Sequence, residues 1–148
     1  MDAQQNARPK AGALTASALQ MKKSFKEKLK EYKSAFYHGK AFRRMEIGKF
    51  ESAAKILESI CRDNPREPGN EISYYFIGQC YFRMGKIDLA INWLSKAYDL
   101  FNIKLIENRS YRYLRNYRDM LQMYCKALRI NGETALADKL IYEKDFGS

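Results

Sequence analysis

The chain is poor in the residues that carry most enzyme chemistry and most covalent stapling. Histidine occurs once, at His38. A single imidazole offers no pair for a metal site or a proton relay, and on a helix such a residue reads as a packing or polar-contact group. The three cysteines, Cys61, Cys80 and Cys125, are odd in number, scattered, and in no CxxC pair. That argues against a disulfide framework and against a zinc site, and for a reducing compartment such as the cytoplasm. GxSxG, HExxH, GxxxxGK[ST] and GxGxxG are all absent, and the acids are spread singly along the chain. No catalytic set, metal or cofactor is therefore expected. Apolar runs are short, none near the roughly 20 residues that span a bilayer, so no transmembrane segment is expected. "AGALTASALQM" follows no strongly charged segment, which argues against a cleaved signal peptide; Arg8 and Lys10 before small residues and hydroxyls leave mitochondrial import as the alternative. Proline occurs only three times, and strand-like alternation is hard to find.

Acids are the scarcer charge, 17 Asp/Glu against 27 Lys/Arg, for a net charge of +10. The surplus is N-terminal. Residues 1 to 50 carry 12 basic against 4 acidic residues, residues 51 to 102 carry 6 against 7, and residues 103 to 148 carry 9 against 6. Such a balance speaks to acidic partners and association rates, not to fold.

What remains is helical. With 148 residues, 46% of them hydrophobic, the chain can bury one core without staples. We expect residues 1–14 to be a flexible tail and residues 15–148 a single domain. Phe25, Leu29, Tyr32 and Phe36 recur every three or four positions opposite Lys22, Lys23, Lys26, Lys30 and Lys33, an amphipathic helix with a basic outer face that starts near Thr15. "FESAAKILESICRD" follows Gly48 as a second helix and stops before "NPREPGN", whose prolines, glycine and asparagines break it. "ISYYFIGQCYFRMGKIDLAINWLSKAYDL" repeats the plan, with a helix to Met84, a break at Gly85-Lys86 and a further helix to Leu100. Aligning "GKFESAAKILESI" with "GKIDLAINWLSKA" superposes Gly48 on Gly85, Ala53 on Ala90 and Leu57 on Leu94, an internal repeat at an offset of 37.

These residues resemble the tetratricopeptide repeat family, whose thirty-four-residue helix pairs carry small residues where helices touch. Gly78, Tyr81, Gly85, Ala90, Leu94 and Ala97 stand at its intervals, and the preceding unit matches through Tyr37, Ala41, Gly48, Phe50, Ala53, Leu57 and Pro65. A degenerate third unit turns at Gly132, with Leu121, Cys125, Ala137 and Ile141 at packed positions and about a dozen residues inserted. The resemblance implies an all-α fold: antiparallel pairs stacked as a short solenoid of about three units, 34–67, 71–104 and 106–146, behind the basic helix. It also implies that first helices line a groove for a partner segment. The groove positions are then His38, Phe42 and Met45; Tyr75, Phe76, Gln79, Phe82 and Arg83; and Gln122, Lys126 and Arg129. The carboxylate clamp that some members use for chaperone tails is absent, since His38 and Phe42 stand where it needs lysine and asparagine.

Arg109, Arg112, Arg115 and Arg118 recur every three residues, which on a helix makes a spiral rather than one strip. Tyr111, Leu114, Tyr117, Leu121, Tyr124 and Leu128 are spaced as a buried seam between them. The functional expectation is a non-enzymatic adaptor or assembly subunit that holds a protein partner, peptide or helix, in the groove. Its basic surface, Lys22, Lys23, Lys26, Lys30, Lys33, Arg43 and Arg44, would meet an acidic partner. The alternatives are nucleic-acid binding in a ribonucleoprotein, a small secretion-type chaperone, and a membrane-surface helix at residues 15 to 33.

Overall fold

The computed structural model describes residues 15–145; the expected tail at residues 1–14 lies outside them. It is built of six helices: α1 Ala16–Glu46, α2 Phe50–Asp63, α3 Asn70–Arg83, α4 Ile87–Lys104, α5 Tyr111–Ile130 and α6 Thr134–Asp145. No strand occurs among the described residues. The all-α expectation holds. The described residues divide into two units, one up to Phe36 and one from Tyr37 onward, the boundary falling inside α1.

The helices begin and end where local chemistry allows. Thr15 Oγ1 accepts the Ala18 N–H at 3.1 Å at the head of α1, and Ser110 Oγ accepts the Tyr113 N–H at 3.4 Å at the head of α5. Each cap satisfies an amide that has no partner in the first turn. Between α2 and α3 the loop is knitted by Asn64 Nδ2 donating to the Ile60 carbonyl and Asn70 Nδ2 donating to the Asn64 carbonyl.

One turn is used three times. Gly48, Gly85 and Gly132 have φ of 78°, 75° and 84°. The N–H after each glycine reaches back to a carbonyl five residues earlier: Lys49 to Arg44 at 2.8 Å, Lys86 to Tyr81 at 2.9 Å, Glu133 to Leu128 at 2.8 Å. This Schellman closure needs a left-handed residue, which glycine adopts without strain, and it folds each second helix back on the first. Five residues on, Ala53, Ala90 and Ala137 are all fully buried. The third unit thus keeps the same turn and the same small contact residue despite its weaker sequence match.

The glycine-to-glycine distance grows from 37 to 47 residues between the second and third turns. The loops before α3 and α5 are equally long, so the ten extra residues are helical: α4 has 18 residues against 14 in α2, and α5 has 20 against 14 in α3. The insertion lies on both sides of the loop.

In residues 37–148 each helix packs on the next, α2 on α3, α3 on α4, α4 on α5 and α5 on α6, and α3 also touches α5. Ala41 of α1 joins Leu57, Ile60, Cys61 and Ile77 in one buried cluster. The larger core joins Ala90, Leu94, Ala97 and Phe101 of α4 to Tyr113, Tyr117, Met120, Tyr124 and Leu128 of α5 and to Ala137 and Leu140 of α6. Phe101 packs its ring 5.2 Å from Tyr113 and 5.8 Å from Tyr117. Each such ring or branched chain removed from water contributes about 1.5–3 kcal/mol. The expected α5 seam needs one correction: Tyr111 is 83% exposed, and Tyr113 is buried in its place. The two lie about 200° apart on the helix, and Tyr113 is the one carried onto Phe101.

Residues 16–36 form the rest of α1. Here Leu19, Met21, Phe25, Leu29, Tyr32 and Phe36 are all exposed, as are Lys22, Lys26, Lys28, Lys30 and Lys33. The Lys23 side chain lies outside the described residues.

Candidate partner-binding site

The sequence-predicted groove residues belong to three first helices, α1, α3 and α5, and the structure brings most of them into two contacts. The first crosses from α1 to α3. The His38 ring lies 6.3 Å from Phe42, Phe42 meets Phe76 edge-on at 5.1 Å, and Phe76 stacks on Tyr75 at 5.3 Å. Four rings therefore run as one row, with Phe42 exposed and the other three partly so. Aromatic pairs in edge-to-face or offset geometry hold each other beyond their area burial, which keeps such a row rigid. His38 is held from beneath, its Nε2 3.1 Å from the buried Ser73 hydroxyl.

The second contact joins α3 to α5. Lys126 sets its ammonium 5.6 Å over the Phe82 ring. Partial burial raises the Tyr75 phenol above its usual range, helped by the Asp119 carboxylate on α5. Gln79 lies partly buried on α3, one turn from Tyr75, while Arg83 and Gln122 are exposed.

Two of the predicted residues are occupied by neighbouring helices. Met45 packs on the cluster of Ala53, Ala54 and Cys80. Arg129 pairs with Asp138 of α6 at 2.6 Å. Arg43 is exposed and Arg44 partly buried. The arginines of the spiral, Arg109, Arg112, Arg115 and Arg118, are exposed. A depression of about 520 Å³ lies elsewhere, at the turn end of the pairs, lined by Gly85–Leu89 and by Ile130 and Asn131. None of the predicted groove residues borders it.

Two groups escaped the reading by spacing. Ser73 gave no signal beyond its place on an apolar helix. Glu71 did leave one: it is the single acid in the largely apolar "NEISYYFIGQCYFR". Its carboxylate, 3% exposed, accepts from Lys104 Nζ at 2.6 Å and from the Tyr113 hydroxyl at 3.2 Å. It ties α3 to the end of α4 and the start of α5.

Helix α3 is apolar on nearly all sides because it is packed on nearly all sides. α2, α4 and α5 all pack against it, and Ala41 of α1 adds a further contact, leaving only Arg83 exposed. Among the described residues no three His, Cys, Asp or Glu side chains gather as a metal ion would need, and no helix is long and apolar enough to cross a membrane.

The family model of the tetratricopeptide repeat matches residues 72–102, which is nearly all of α3 and of α4. No curated protein and no solved structure matches the chain. The glycine turn at Gly85, the close approach of Gly78 to Ala90 and Leu94 between the two helices, and that match agree on one unit, and the same turn recurs before and after it. Residues 72–102 match the tetratricopeptide repeat, and the described residues form a helical repeat in which the same glycine turn is used three times.

Proposed function

We propose that this chain is a non-enzymatic adaptor or assembly subunit that takes a partner segment along its first helices, with the basic part of α1 reaching an acidic neighbour. The observation that carries the reading is the ring row His38, Phe42, Phe76 and Tyr75, continued by Phe82 beneath Lys126. Large, rigid, partly exposed rings are the side chains that anchor binding interfaces, because they bury much area with few rotamers to freeze. A partner segment fitted to this face has an apolar or aromatic anchor for the rings. An acidic or carbonyl group on that segment would suit Lys126 and Arg83.

Peptides selected against the full chain from a random display library test the proposal. Replacing Tyr75 and Phe82 together by serine is expected to weaken the selected peptides at least tenfold while leaving the helical circular dichroism unchanged. Binding that survives the double replacement would move recognition to another surface.

A further inference from the structure

The strongest feature outside the ring row lies in α1 between Ala18 and Phe36, where Ala18 is partly buried and Ser34 buried while the large apolar side chains are exposed. Phe25, Leu29 and Tyr32 are 68%, 46% and 74% exposed. Their order along the helix is regular. Ala18, Lys22, Phe25, Leu29, Tyr32 and Phe36 step by 4, 3, 4, 3 and 4 residues, the 3.5-residue period that places every second contact on one narrow seam. A helix that lies in a membrane surface carries a broad apolar face instead. A narrow seam is covered by another helix, whose side chains fit between its own.

The flanks of the seam say which helix. Lys26 and Lys33, with Leu19 before them, border it on one side and Lys28, with Met21 before it, on the other, while Glu27 and Glu31 stand on the outward face. Lys22 interrupts the seam itself, a charge that fixes register when its opposite number answers it. In a second copy of this chain, parallel or antiparallel, flanking lysines would face flanking lysines, and like charges across such a seam select against the pairing. The chain's own residues 1–14 hold one acid, Asp2, and a proline, Pro9, and cannot supply the complementary strand. We infer that residues 18–36 are one strand of a heteromeric coiled coil whose other strand is an acidic amphipathic helix of a different protein. The inference deepens the adaptor reading by naming the class of its acidic neighbour, and it does not require the ring row.

The test uses the full chain and a synthetic 21-residue peptide with leucine along a heptad seam, glutamate at both flanks and glutamate opposite Lys22. The same peptide with lysine flanks is the control. The acidic peptide is expected to bind one to one with a gain in helical circular dichroism, and the lysine peptide at least tenfold more weakly. Phe25→Ser with Leu29→Ser, and separately Lys26→Glu with Lys28→Glu and Lys33→Glu, should each weaken the acidic peptide at least tenfold. The Tyr75→Ser, Phe82→Ser variant should bind it within twofold of the parent chain, so that failure of the ring row and failure of the seam are read separately. The inference is overturned if the acidic peptide does not bind, if both peptides bind equally, or if sedimentation shows the chain alone pairing through this seam. It is overturned equally if vesicles of equal phosphatidylcholine and phosphatidylserine, or a generic RNA, bind the seam at 150 mM salt while the acidic peptide does not.

Discussion

At position 78 the missing side chain is a packing requirement. A Cβ built on Gly78 would stand 2.7 Å from Leu94 Cγ, 2.9 Å from its Cδ2 and 3.4 Å from the Ala90 carbonyl oxygen. Leu94 is wholly buried and has nowhere to swing. Gly39, also inside a helix, meets nothing within 4 Å. The same substitution should therefore act with opposite sign at the two sites. Alanine gains about 1 kcal/mol of helix propensity at either, but at position 78 overpacking costs roughly 1–3 kcal/mol. Gly78→Ala is expected to lower the unfolding free energy by about 1 kcal/mol and Gly39→Ala to raise it by roughly 0.5–1 kcal/mol. Urea titration of both variants checks this, and equal shifts would refute the close approach of α3 and α4.

Between elements, Glu71 is the polar tie. It sits in the first turn of α3 and receives Lys104 from the last turn of α4 and the Tyr113 hydroxyl from the first turn of α5. The geometry makes the two ends of the ion pair unequal. Lys104 is about one third exposed and can return to water, whereas Glu71 cannot. Lys104→Ala leaves a buried carboxylate facing one phenol, at a cost of roughly 3 kcal/mol. Glu71→Gln removes the charge and keeps an acceptor for Tyr113, at about 1–2 kcal/mol. The double variant should fall well short of the sum, because neutralising Glu71 removes what Lys104 was there to balance. Denaturant midpoints of the three variants decide it; additive losses would mean that the two residues act independently.

Across the whole molecule, the interior holds thiols and phenols that must stay protonated. Burial pushes the Cys61 and Cys80 thiols up to about 11 from 9.0. Burial, aided by the Glu58 carboxylate that accepts its hydrogen bond, pushes the Tyr81 phenol up to about 12 from 10.0. Tyr113 and Tyr117 move in the same direction, again chiefly by burial. For each, the folded state holds its proton to higher pH than the unfolded chain does. The stabilisation is thus complete below pH 9 and is lost as pH rises through 9 to 12. The urea midpoint is expected to stay level from pH 7 to 9 and to fall by pH 11, and a midpoint unchanged at pH 11 would contradict the burial of these groups.

Much of this was written in the residues themselves. Period 3.6 in every ordered stretch dictated helices, glycine placed each turn within the pairs, and the spacing of Ala53, Ala90 and Ala137 after those glycines set the contact between paired helices, because such patterns depend only on local geometry. The candidate site was legible in part: the spacing put His38, Phe42, Tyr75 and Phe82 on first helices, but their neighbours in space come from other helices. Only the tertiary structure decided that Phe42 meets Phe76, that Arg129 is taken by Asp138, and that Glu71 answers Lys104 and Tyr113. It alone showed that α5 turns Tyr113 inward and Tyr111 out. Helical spacing names a set of faces, and which face is buried depends on the element packed against it, a contact between residues that the chain order keeps tens of positions apart.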